Sequence, residues 1–579
     1  MKVNLIANFQ ANTGLMQDAL LLRGILSVQF GEDVKIFKVP HMLPECGEAD
    51  VNFFLEVINP SLFPYARKNI WLPNPEWTYK TWIPYISMVD EVWVKTHEAE
   101  TIFKQYTDKV YFTGWTSMDK AYLAERDKKN YHKAIVPVGK NIYRHPKPIF
   151  QAYLKLKHDY PEEYKEAPEL YIVHSPDHIG ITVPEEIAPK VHLISKVLSD
   201  TEYNDLLKEC GLCICMSLSE GFGHAVNEAM SAGCNLILSP ISPFKDNLYR
   251  SLDVYVEALE IAEQPDCLGK LVDVNTDSLE KKLREYIAKP FKAKKELSKY
   301  TRGIYEGNHS QWIERMKDQL VASMPAINET SYSLRDTFPK EDELPDVSVL
   351  CITKDRRAFM PLLKYCYMIQ SYPEDKMEIV IVDDGDDPIE DTLFGVPNVK
   401  YVRCDPGMTI SQKRNLGVEN AMYDIIAVMD DDDVYPNNSI LQRVAMLMKE
   451  PKKQCGFCTT IPCYDIAKYS SFMNVPPITL KMSERVSEAT LIFTKAFWEE
   501  NKFDDMVHIG EGNAFVHGRE HMCREISPQE VIVSLVHPKN TSSRKLPNIP
   551  ESNGCHWGFN ENLYALVSQI GQDLITHTE

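Results

Sequence analysis

Four consecutive aspartates follow an apolar run in the second half of the chain, at 430–433 in DIIAVMDDDDVYPNN. Adjacent carboxylates repel one another unless water or a cation screens them, and carboxylate oxygens suit hard cations such as Mg²⁺ or Mn²⁺. If the strand continues through them, alternation places Asp430 and Asp432 on one side as a D-x-D pair. An exposed acidic turn is the alternative interpretation of the tetrad taken alone.

Two further motifs precede the tetrad. The strand pattern EIVIVDDGDD ends in Asp383 and Asp384, and in SQKRNLG the cations Lys413 and Arg414 open a helix, whose first amides favour anions. The carboxyl ends of parallel strands share one edge of a sheet, where α/β proteins bind ligands. The sequence therefore predicts a carboxylate pair, a cationic anion site and a metal-binding tetrad at one edge.

In this order the motifs resemble glycosyltransferase family 2, the inverting GT-A enzymes that use nucleotide-diphospho-sugars, over about residues 346–540. The resemblance implies a UDP-, GDP- or dTDP-sugar donor, Mn²⁺ or Mg²⁺ as cofactor and a glycan or glycoconjugate acceptor. It also implies a set of site residues: Thr353 with Asp383 or Asp384 at the nucleoside, Lys413 and Arg414 at the diphosphate, and Asp430 and the catalytic Asp432 at the metal and ribose.

Members of this family also carry an acidic residue near the acceptor, followed by a basic one. GEGNAFVHGR at 510–519 matches that pattern, and Glu511 is the predicted general base. Many relatives have Glu-Asp where this chain has Glu511-Gly512, so Asp504 and Asp505 are the alternative bases.

A late histidine often completes the metal site of GT-A folds. His537, followed by polar residues at 540–542, is therefore predicted to join Asp430 and Asp432, with a structural histidine as the alternative interpretation. A zinc site is a weaker hypothesis for the cysteines at 455–463, because no second ligand pair lies nearby in the sequence. Reduced thiols are favoured there.

The first half of the chain carries a glycine loop in MSLSEGFGHAVNEAMSAGCNLILSP. Gly221 and Gly223 allow a close backbone approach, and the helix that begins near His224 presents free amides to a phosphate. Glu220 lies in the loop and Glu228 about one turn into the helix, so both carboxylates can face one ligand.

This loop and its NEAMSAG tail resemble the donor-binding motif of glycosyltransferase family 4, retaining GT-B enzymes that need no metal. The resemblance implies Glu228 at the donor ribose and Glu220, as a catalytic residue, near the sugar. It also implies a basic loop at 138–147, where the candidates are Lys140, Arg144 and Lys147. The aromatic segment WLPNPEWTYKTW at 71–82 either lines the cleft or belongs to the core.

Alternating β and α patterns predict an α/β chain with parallel sheets covered by helices. We expect a GT-B module of two Rossmann-like half-domains, 1–132 and 133–322, a polar linker at 323–345, and a GT-A domain with a mainly parallel sheet at 346–579. Strands are expected at 3–7, 51–57, 91–96, 133–139, 170–175, 191–195, 212–217, 235–240, 347–353, 378–383, 398–403 and 425–430.

Composition limits the partners and the location. The 579 residues carry a net charge of −20, which makes nucleic acid an unlikely partner. No apolar run approaches the roughly 20 residues that span a bilayer, so no integral membrane segment is expected. Because the first residues also lack the pattern of a signal peptide and the cysteines are scattered, a cytoplasmic location is predicted.

The leading functional hypothesis is a bifunctional hexosyl- or pentosyltransferase with an inverting, metal-dependent GT-A site and a retaining, metal-independent GT-B site. In the first alternative, only the GT-A domain is active and the GT-B module is a degenerate scaffold that positions the acceptor. In the second, the chain is a non-catalytic carbohydrate-binding protein. Four carboxylates at a buried edge, costly without a cation, argue against the second alternative.

Overall fold

The computed structural model describes residues 1–8, 13–31, 34–38, 49–120, 129–176, 180–247, 253–324, 338–468, 470–540 and 560–576. The chain forms two compact units. Unit 1 comprises Met1–Lys38, Asp50–Ile58 and Lys68–Ile327, and unit 2 comprises Val39–Ala49, Asn59–Arg67 and Asn328–Glu579. Mainly parallel sheets covered by helices form both units, which confirms the expected α/β fold class.

Unit 1 contains two sheets, and the first has the strand order β2-β1-β3-β4-β5-β6. Its strands are β1 (Val3–Ala7), β2 (Val34–Lys38), β3 (Ala49–Leu55), β4 (Ala66–Leu72), β5 (Glu91–Val94) and β6 (Val110–Phe112). Helices α1 (Gly14–Phe30), α2 (Ile83–Ile86) and α3 (His97–Phe103) accompany them. β1 pairs in parallel with β2 and β3, and β5 in parallel with β4 and β6.

The second sheet of unit 1 is parallel, in the order β11-β10-β7-β8-β9. Its strands are β7 (Asn130–Gly139), β8 (Glu169–His174), β9 (Val191–Ser195), β10 (Cys210–Cys215) and β11 (Asn235–Leu238). The helices are α4 (Lys147–Asp159), α5 (Pro161–Glu166), α6 (Asp200–Glu209), α7 (His224–Ser231) and α8 (Ser242–Asn247), and a hairpin of β12 (Ala258–Glu263) and β13 (Lys270–Val274) follows.

Helices α9 (Thr276–Ala288) and α10 (Phe291–Ser323) end unit 1. The first part of α10 contributes Ile304 and Tyr305 to the core of the second sheet. Its last turns contribute Trp312, Met316 and Leu320 to the core of the first sheet. One helix therefore holds the two sheets of this unit together.

The main sheet of unit 2 has the order β16-β15-β14-β17-β22-β19-β23. Its strands are β14 (Val347–Thr353), β15 (Met377–Asp383), β16 (Val399–Arg403), β17 (Ile425–Val428), β19 (Cys455–Phe457), β22 (Ile492–Thr494) and β23 (Cys523–Glu525). A smaller sheet contains β18 (Asp433–Val434), β20 (Ile461–Asp465), β21 (Ser470–Asn474) and β24 (Val533–Val536). The helices are α11 (Met360–Met368), α12 (Ile410–Asn420), α13 (Ser439–Met448), α14 (Lys495–Glu500), α15 (Glu511–Val516) and α16 (Glu561–Thr576).

Strands β14 to β17 run parallel, so their carboxyl ends lie at one edge of the main sheet. Thr353 pairs with Asp383 in the ladder, and Leu350 pairs with Val428. Helix α12 packs on β14 and β15 through Gly417, where a Cβ atom would lie 2.1 Å from Leu350 Cδ1. Because of this close contact, the turn of α12 that carries Lys413 and Arg414 lies near the edge of the sheet.

One expectation about the strands needs correction, and other predicted segments fall on residues outside the described ranges. The strand expected at 425–430 ends at Val428, because the chain turns at the tetrad and pairs again as β18 with β24. Of the polar residues at 540–542, Thr541 and Ser542 lie outside the described residues, as does most of the predicted linker. None of the helices within the described ranges is long and apolar enough to cross a membrane.

Candidate functional site

Each aspartate of the tetrad has a different partner. Thr353 Oγ1 donates to Asp431 Oδ2 at 2.5 Å, and Ser534 Oγ donates to Asp433 Oδ1 at 2.7 Å. Asp430 Oδ1 lies 3.7 Å from an Arg414 nitrogen. Strand alternation does not place Asp430 and Asp432 on one side, because β17 ends at Val428 and the chain turns at Asp431 and Asp432.

Asp432 is held by two basic groups. Arg356 donates to its Oδ2 at 2.6 Å, and His537 Nε2 lies 3.1 Å from the same oxygen. The pairing of β18 with β24 brings His537, far along the chain, beside the tetrad. Burial alone would raise the pKa of Asp432, but the hydrogen bond from His537 and the charge of Arg356 lower it below its usual value. Asp432 is therefore ionised at neutral pH.

The carboxylates fit a hard cation better than His537 does. Asp430 and Asp432 keep 27% and 14% of their side-chain surface exposed, although Asp430 Oδ1 itself is buried. The amide of Lys539 donates to His537 Nδ1 at 3.2 Å, which leaves Nε2 to carry the proton and donate to Asp432. Metal-bound histidines need the opposite arrangement. Within the described ranges, no group of three His, Cys, Asp or Glu side chains is placed to hold a metal ion.

Arg414 connects the tetrad to the predicted base. Its Nε donates to Glu511 Oε1 at 2.8 Å, and Asp430 lies on its other side. The guanidinium is only 3% exposed, and its NH1 has no hydrogen-bond partner in the part of the chain that the structure describes. A buried cation with an unused donor at a ligand-binding edge of the sheet is suited to an anionic ligand.

Glu488 is a carboxylate of this site that the sequence did not indicate. It accepts a hydrogen bond from the Gly512 amide at 3.1 Å, directly after Glu511. Burial, and then the charge of Glu511, raises the pKa of Glu488 to about 7. The hydroxyl of Tyr435 accepts from the Asp430 amide at 2.8 Å and donates to the Ala489 carbonyl at 2.9 Å, which fixes this turn beside the tetrad.

The predicted nucleoside residues have different surroundings. Asp383 accepts from the Tyr401 hydroxyl at 2.6 Å and from the Gly385 amide at 2.8 Å, so it anchors the turn after β15. Asp384 instead pairs with Lys413 Nζ at 2.7 Å. Of the alternative bases, Asp504 and Asp505 are exposed, and Asp505 holds Asn415 at 3.0 Å.

The cysteines at 455–463 are free and buried in the core of unit 2. Cys455 belongs to β19 and Cys463 to β20, which are strands of different sheets. Burial raises the pKa of Cys458 to about 12, so that thiol stays protonated at neutral pH. The residues have the surroundings of core thiols.

A cavity of about 570 Å³ lies in unit 1. Its walls include the four residues predicted from the glycine loop, Glu220, Gly221, Gly223 and Glu228, and the cationic Lys140 and Arg144. Gly223 has a positive φ of 87°, and a Cβ atom there would lie 2.5 Å from the Phe244 ring, so only glycine suits this turn. Lys147 begins α4 and is not among the lining residues.

Both glutamates of the cavity already have partners. Arg144 holds both oxygens of Glu220, through Nε at 2.5 Å and NH2 at 2.8 Å. Gln17 donates to Glu228 Oε1 at 2.7 Å, and Lys120 lies 3.4 Å from the same oxygen. A donor that used Glu220 or Arg144 would have to share or displace this bidentate pair.

Some residues of the aromatic segment at 71–82 belong to the core, and others line the cavity. Trp71 and Trp82 are fully buried and pack on each other with ring centroids 6.3 Å apart. Asn74, Glu76 and Trp77, in contrast, line the cavity.

Family models match both units. Residues 184–303 match Glycosyl transferases group 1, and residues 361–497 match Glycosyl transferase family 2. The chain therefore carries segments of two glycosyltransferase families. The group 1 match includes Glu220 and Glu228, and the family 2 match includes Arg414 and Asp432. The expected combination of the two modules is thereby confirmed.

Similar solved structures include mannosyltransferase PcManGT from Pyrobaculum calidifontis in complex with GDP-Man and Mn²⁺, with 16% identity over 35% of this chain and a TM-score of 0.28. Residues 1–349 of S. aureus TarS give 16% identity over 33% of this chain and a TM-score of 0.26. The chain covers 60% of the length of each of these two structures. No curated protein sequence matches the chain.

Proposed function

We propose that unit 2 of this glycosyltransferase moves a hexosyl or pentosyl group from a nucleotide-diphospho-sugar to an acceptor hydroxyl, with inversion at the anomeric carbon. The observation that carries this proposal is the position of Arg414, which joins Glu511 to Asp430 and keeps one buried donor unused. A diphosphate is a ligand that such a guanidinium recognises. The family 2 match supports the same reaction class.

In the proposed mechanism the acceptor oxygen attacks the anomeric carbon from the face opposite the diphosphate. The bond between that carbon and the diphosphate oxygen breaks, and the nucleoside diphosphate leaves with the electron pair. Glu511 takes the proton of the acceptor hydroxyl. Arg414 stabilises the charge that develops on the leaving group, and Lys413 directly precedes it in the same helix.

Asp430 and Asp432 are the residues that would hold a divalent cation. Bound there, Mn²⁺ or Mg²⁺ would supply Lewis-acid neutralisation of the diphosphate. Arg356 and His537 keep Asp432 ionised, which prepares it for this role. We assign His537 to positioning Asp432, because its Nδ1 accepts a backbone hydrogen bond.

For unit 1 we propose a second nucleotide-sugar site that needs no metal and, as in the family it resembles, retains the anomeric configuration. Its support is the group 1 match and the convergence of Glu220, Glu228, Lys140 and Arg144 on one cavity. In a second proposal, unit 1 binds a sugar ligand but does not transfer it. The bidentate Arg144–Glu220 pair favours that alternative, since it occupies both side chains.

Thermal unfolding of the full chain with UDP-, GDP- and dTDP-sugars, each with and without Mn²⁺, tests these assignments. We expect one Mn²⁺-dependent stabilisation that disappears in Asp432→Ala, and a metal-independent one that disappears in Glu228→Ala. NMR of the anomeric proton of each product then distinguishes inversion from retention. If no donor stabilises the chain under either condition, the proposed donor sites are wrong.

A further inference from the structure

The turn at 487–491 of unit 2 lies beside the proposed site, yet none of its residues takes part in the proposed mechanism. It contains the short helical segment Glu488–Thr490 and leads into β22. The Leu491 carbonyl accepts from the amide of Val428, the last residue of β17, at 2.8 Å. The turn is therefore joined to the strand that precedes the aspartate tetrad.

Buried hydrogen bonds fix this turn. Thr490 Oγ1 accepts from the Cys458 amide at 2.8 Å and donates to the Ser487 carbonyl at 2.7 Å, and Thr490 is fully buried. The Ser487 amide in turn donates to the Cys458 carbonyl at 3.0 Å. A turn held in this way is a rigid support for the side chains that it carries.

On one side the turn is connected to the tetrad. The Tyr435 hydroxyl donates to the Ala489 carbonyl at 2.9 Å and accepts from the Asp430 amide at 2.8 Å. Tyr435 is fully buried, which strengthens both hydrogen bonds because water does not compete for them. The backbone of Asp430 is thus tied to the backbone of the turn.

On the other side Glu488 contacts the backbone of the predicted base. Its Oε1 accepts from the Gly512 amide at 3.1 Å, and Gly512 directly follows Glu511 at the start of α15. A Cβ atom on Gly512 would lie 2.9 Å from Glu488 Oε1 and 2.7 Å from Val486 Cγ1. A side chain at 512 would therefore push the Glu488 carboxylate away from the backbone of the base.

The start of α15 needs this support. The helix has only six residues, Glu511–Val516, and its first amides require acceptors from outside the helix. The residue before it is Gly510, with a φ of 75°, and glycine has no side chain that could cap the helix. Glu488 supplies the acceptor from another part of the chain.

The orientation of Glu511 matters for the proposed reaction. Its side chain is only 4% exposed, and Oε1 already accepts from Arg414 Nε at 2.8 Å. The second oxygen must point at the acceptor hydroxyl to take its proton. A misplacement of about 1 Å can cost about 10²-fold in rate, so a fixed backbone at 511–512 is part of what the reaction requires.

We propose that Glu488 is a positioning residue of unit 2, which fixes the peptide between Glu511 and Gly512 and thereby keeps the second oxygen of Glu511 directed at the acceptor. Through Ala489 the same turn holds the backbone of the tetrad, so one turn sets the distance between the acceptor side and the metal side of the site. This role rests on the proposed function of unit 2, in which Glu511 is the base.

Hydrogen exchange in the full chain tests the contact without any substrate. The Gly512 amide should exchange at least about tenfold faster in Glu488→Ala than in wild type, because it loses its acceptor. Glu488→Gln should protect this amide as wild type does, since the side-chain carbonyl of glutamine also accepts. Equal exchange in wild type and Glu488→Ala would overturn the proposal.

Turnover tests the positioning role. The probes are UDP-glucose and GDP-mannose with water as the acceptor, and the measured rate is the part of nucleotide release that EDTA removes. We expect Glu488→Ala to lower this rate at saturating donor by about tenfold or more with donor affinity within about twofold, and Glu488→Gln to stay within about threefold of wild type. Glu484→Ala is the matched control and should keep the wild-type rate, because Glu484 also accepts a backbone amide, that of Lys481 at 2.8 Å, but is exposed.

A double variant separates this role from that of a second base. If Glu488 acts only through Glu511, Glu488→Ala combined with Glu511→Gln is no slower than Glu511→Gln alone. A further loss in the double variant, or a loss of about 10²-fold in Glu488→Gln, would overturn the positioning role, since Glu488 would then take the proton itself. A full rate in Glu488→Ala, or a donor affinity that falls as much as the rate, would overturn it too. A full rate in Glu511→Gln, or no turnover of either donor by wild type, would instead count against the proposed function, and the exchange of the Gly512 amide would still decide whether Glu488 holds this peptide.

Discussion

Glu511 is ion-paired with Arg414 in a buried setting, whereas a general base must also meet the acceptor hydroxyl. The pair is compatible with both tasks, because Arg414 contacts Oε1 and the second oxygen remains for the acceptor. We predict that Glu511→Gln lowers turnover by about 10²-fold or more with donor affinity nearly unchanged, since an amide cannot take a proton.

Steady-state rates with saturating donor, together with donor binding, check this prediction. Asp504→Asn is the matched control, because the Asp504 side chain is exposed and accepts a hydrogen bond from the nearby Met506 amide at 2.9 Å. If Glu511→Gln turned over at the full rate, or if Asp504→Asn lost as much activity as Glu511→Gln, another carboxylate would be the general base.

The second prediction concerns Glu488 and the dependence of the free energy of unfolding on pH. Its folded pKa of about 7 exceeds the usual 4.5, so the native chain binds its proton more tightly than the unfolded chain. The free energy of unfolding therefore falls as the pH rises between about 4.5 and 7. We expect Glu488→Gln to raise the melting temperature relative to wild type at pH 8 and to leave it unchanged at pH 4. If the melting temperatures of Glu488→Gln and wild type differed by the same amount at both pH values, the raised pKa of Glu488 would be contradicted.

The metal site gives a third prediction at the residue scale. Asp432→Asn keeps the size of the side chain but removes the charge that would hold a cation. It should abolish Mn²⁺-dependent donor binding and transfer by unit 2, as should EDTA added to the wild type. Isothermal titration of Mn²⁺ alone provides a readout apart from activity. Full transfer in EDTA would show that the tetrad serves another purpose.

At the scale of elements, the sequence predicted what local patterns determine. The buried apolar runs of β14 and β15 end at Thr353 and Asp383 as expected, because each run meets polar residues there. The end of β17 was misplaced by two residues. That boundary depends on the return of the chain as β18 to pair with β24, a contact about a hundred residues away in sequence.

Contacts between residues far apart in sequence also limit how much of the site could be predicted. Arg414, Glu511 and Asp432 were singled out from motifs, and the structure places them around one edge of a sheet. Glu488 could not be found in this way, since it comes beside Glu511 through a hydrogen bond from the Gly512 amide, 24 residues further along the chain. A Cβ atom at 512 would lie 2.9 Å from Glu488 Oε1, which explains why glycine follows Glu511 here.

Helix α12 provides a prediction for packing. Gly417→Ala places a methyl group 2.1 Å from Leu350 Cδ1, so either the helix or β14 must move. Overpacking of this kind costs about 1–3 kcal/mol of unfolding free energy, and displacing Arg414 should weaken donor binding as well. Gly571→Ala in α16 is the matched control, with its nearest neighbour at an ordinary 3.5 Å. Equal melting temperatures for the two variants would show that the contact is not tight.

At the scale of the whole molecule, each unit has hydrophobic cores of its own among the described residues. The described core of unit 2 consists of residues between Leu344 and Leu574, and the cores of unit 1 consist of residues up to Met324. A unit with its own core can fold alone. Unit 2 nevertheless also includes Asn59–Arg67, which lies outside the domain predicted at 346–579.

We therefore predict that residues 328–579 fold when expressed alone and keep the Mn²⁺-dependent donor binding of unit 2. Their melting temperature should be lower than that of the corresponding transition in the full chain, because residues 59–67 no longer cover their part of unit 2. Circular dichroism and donor titration of the fragment test this, and a synthetic peptide of residues 59–67 added to the fragment should recover part of the stability. An unfolded fragment would mean that unit 2 depends on unit 1 for more than these segments. A folded fragment without donor binding would mean that its site residues need the rest of the chain to take up their arrangement.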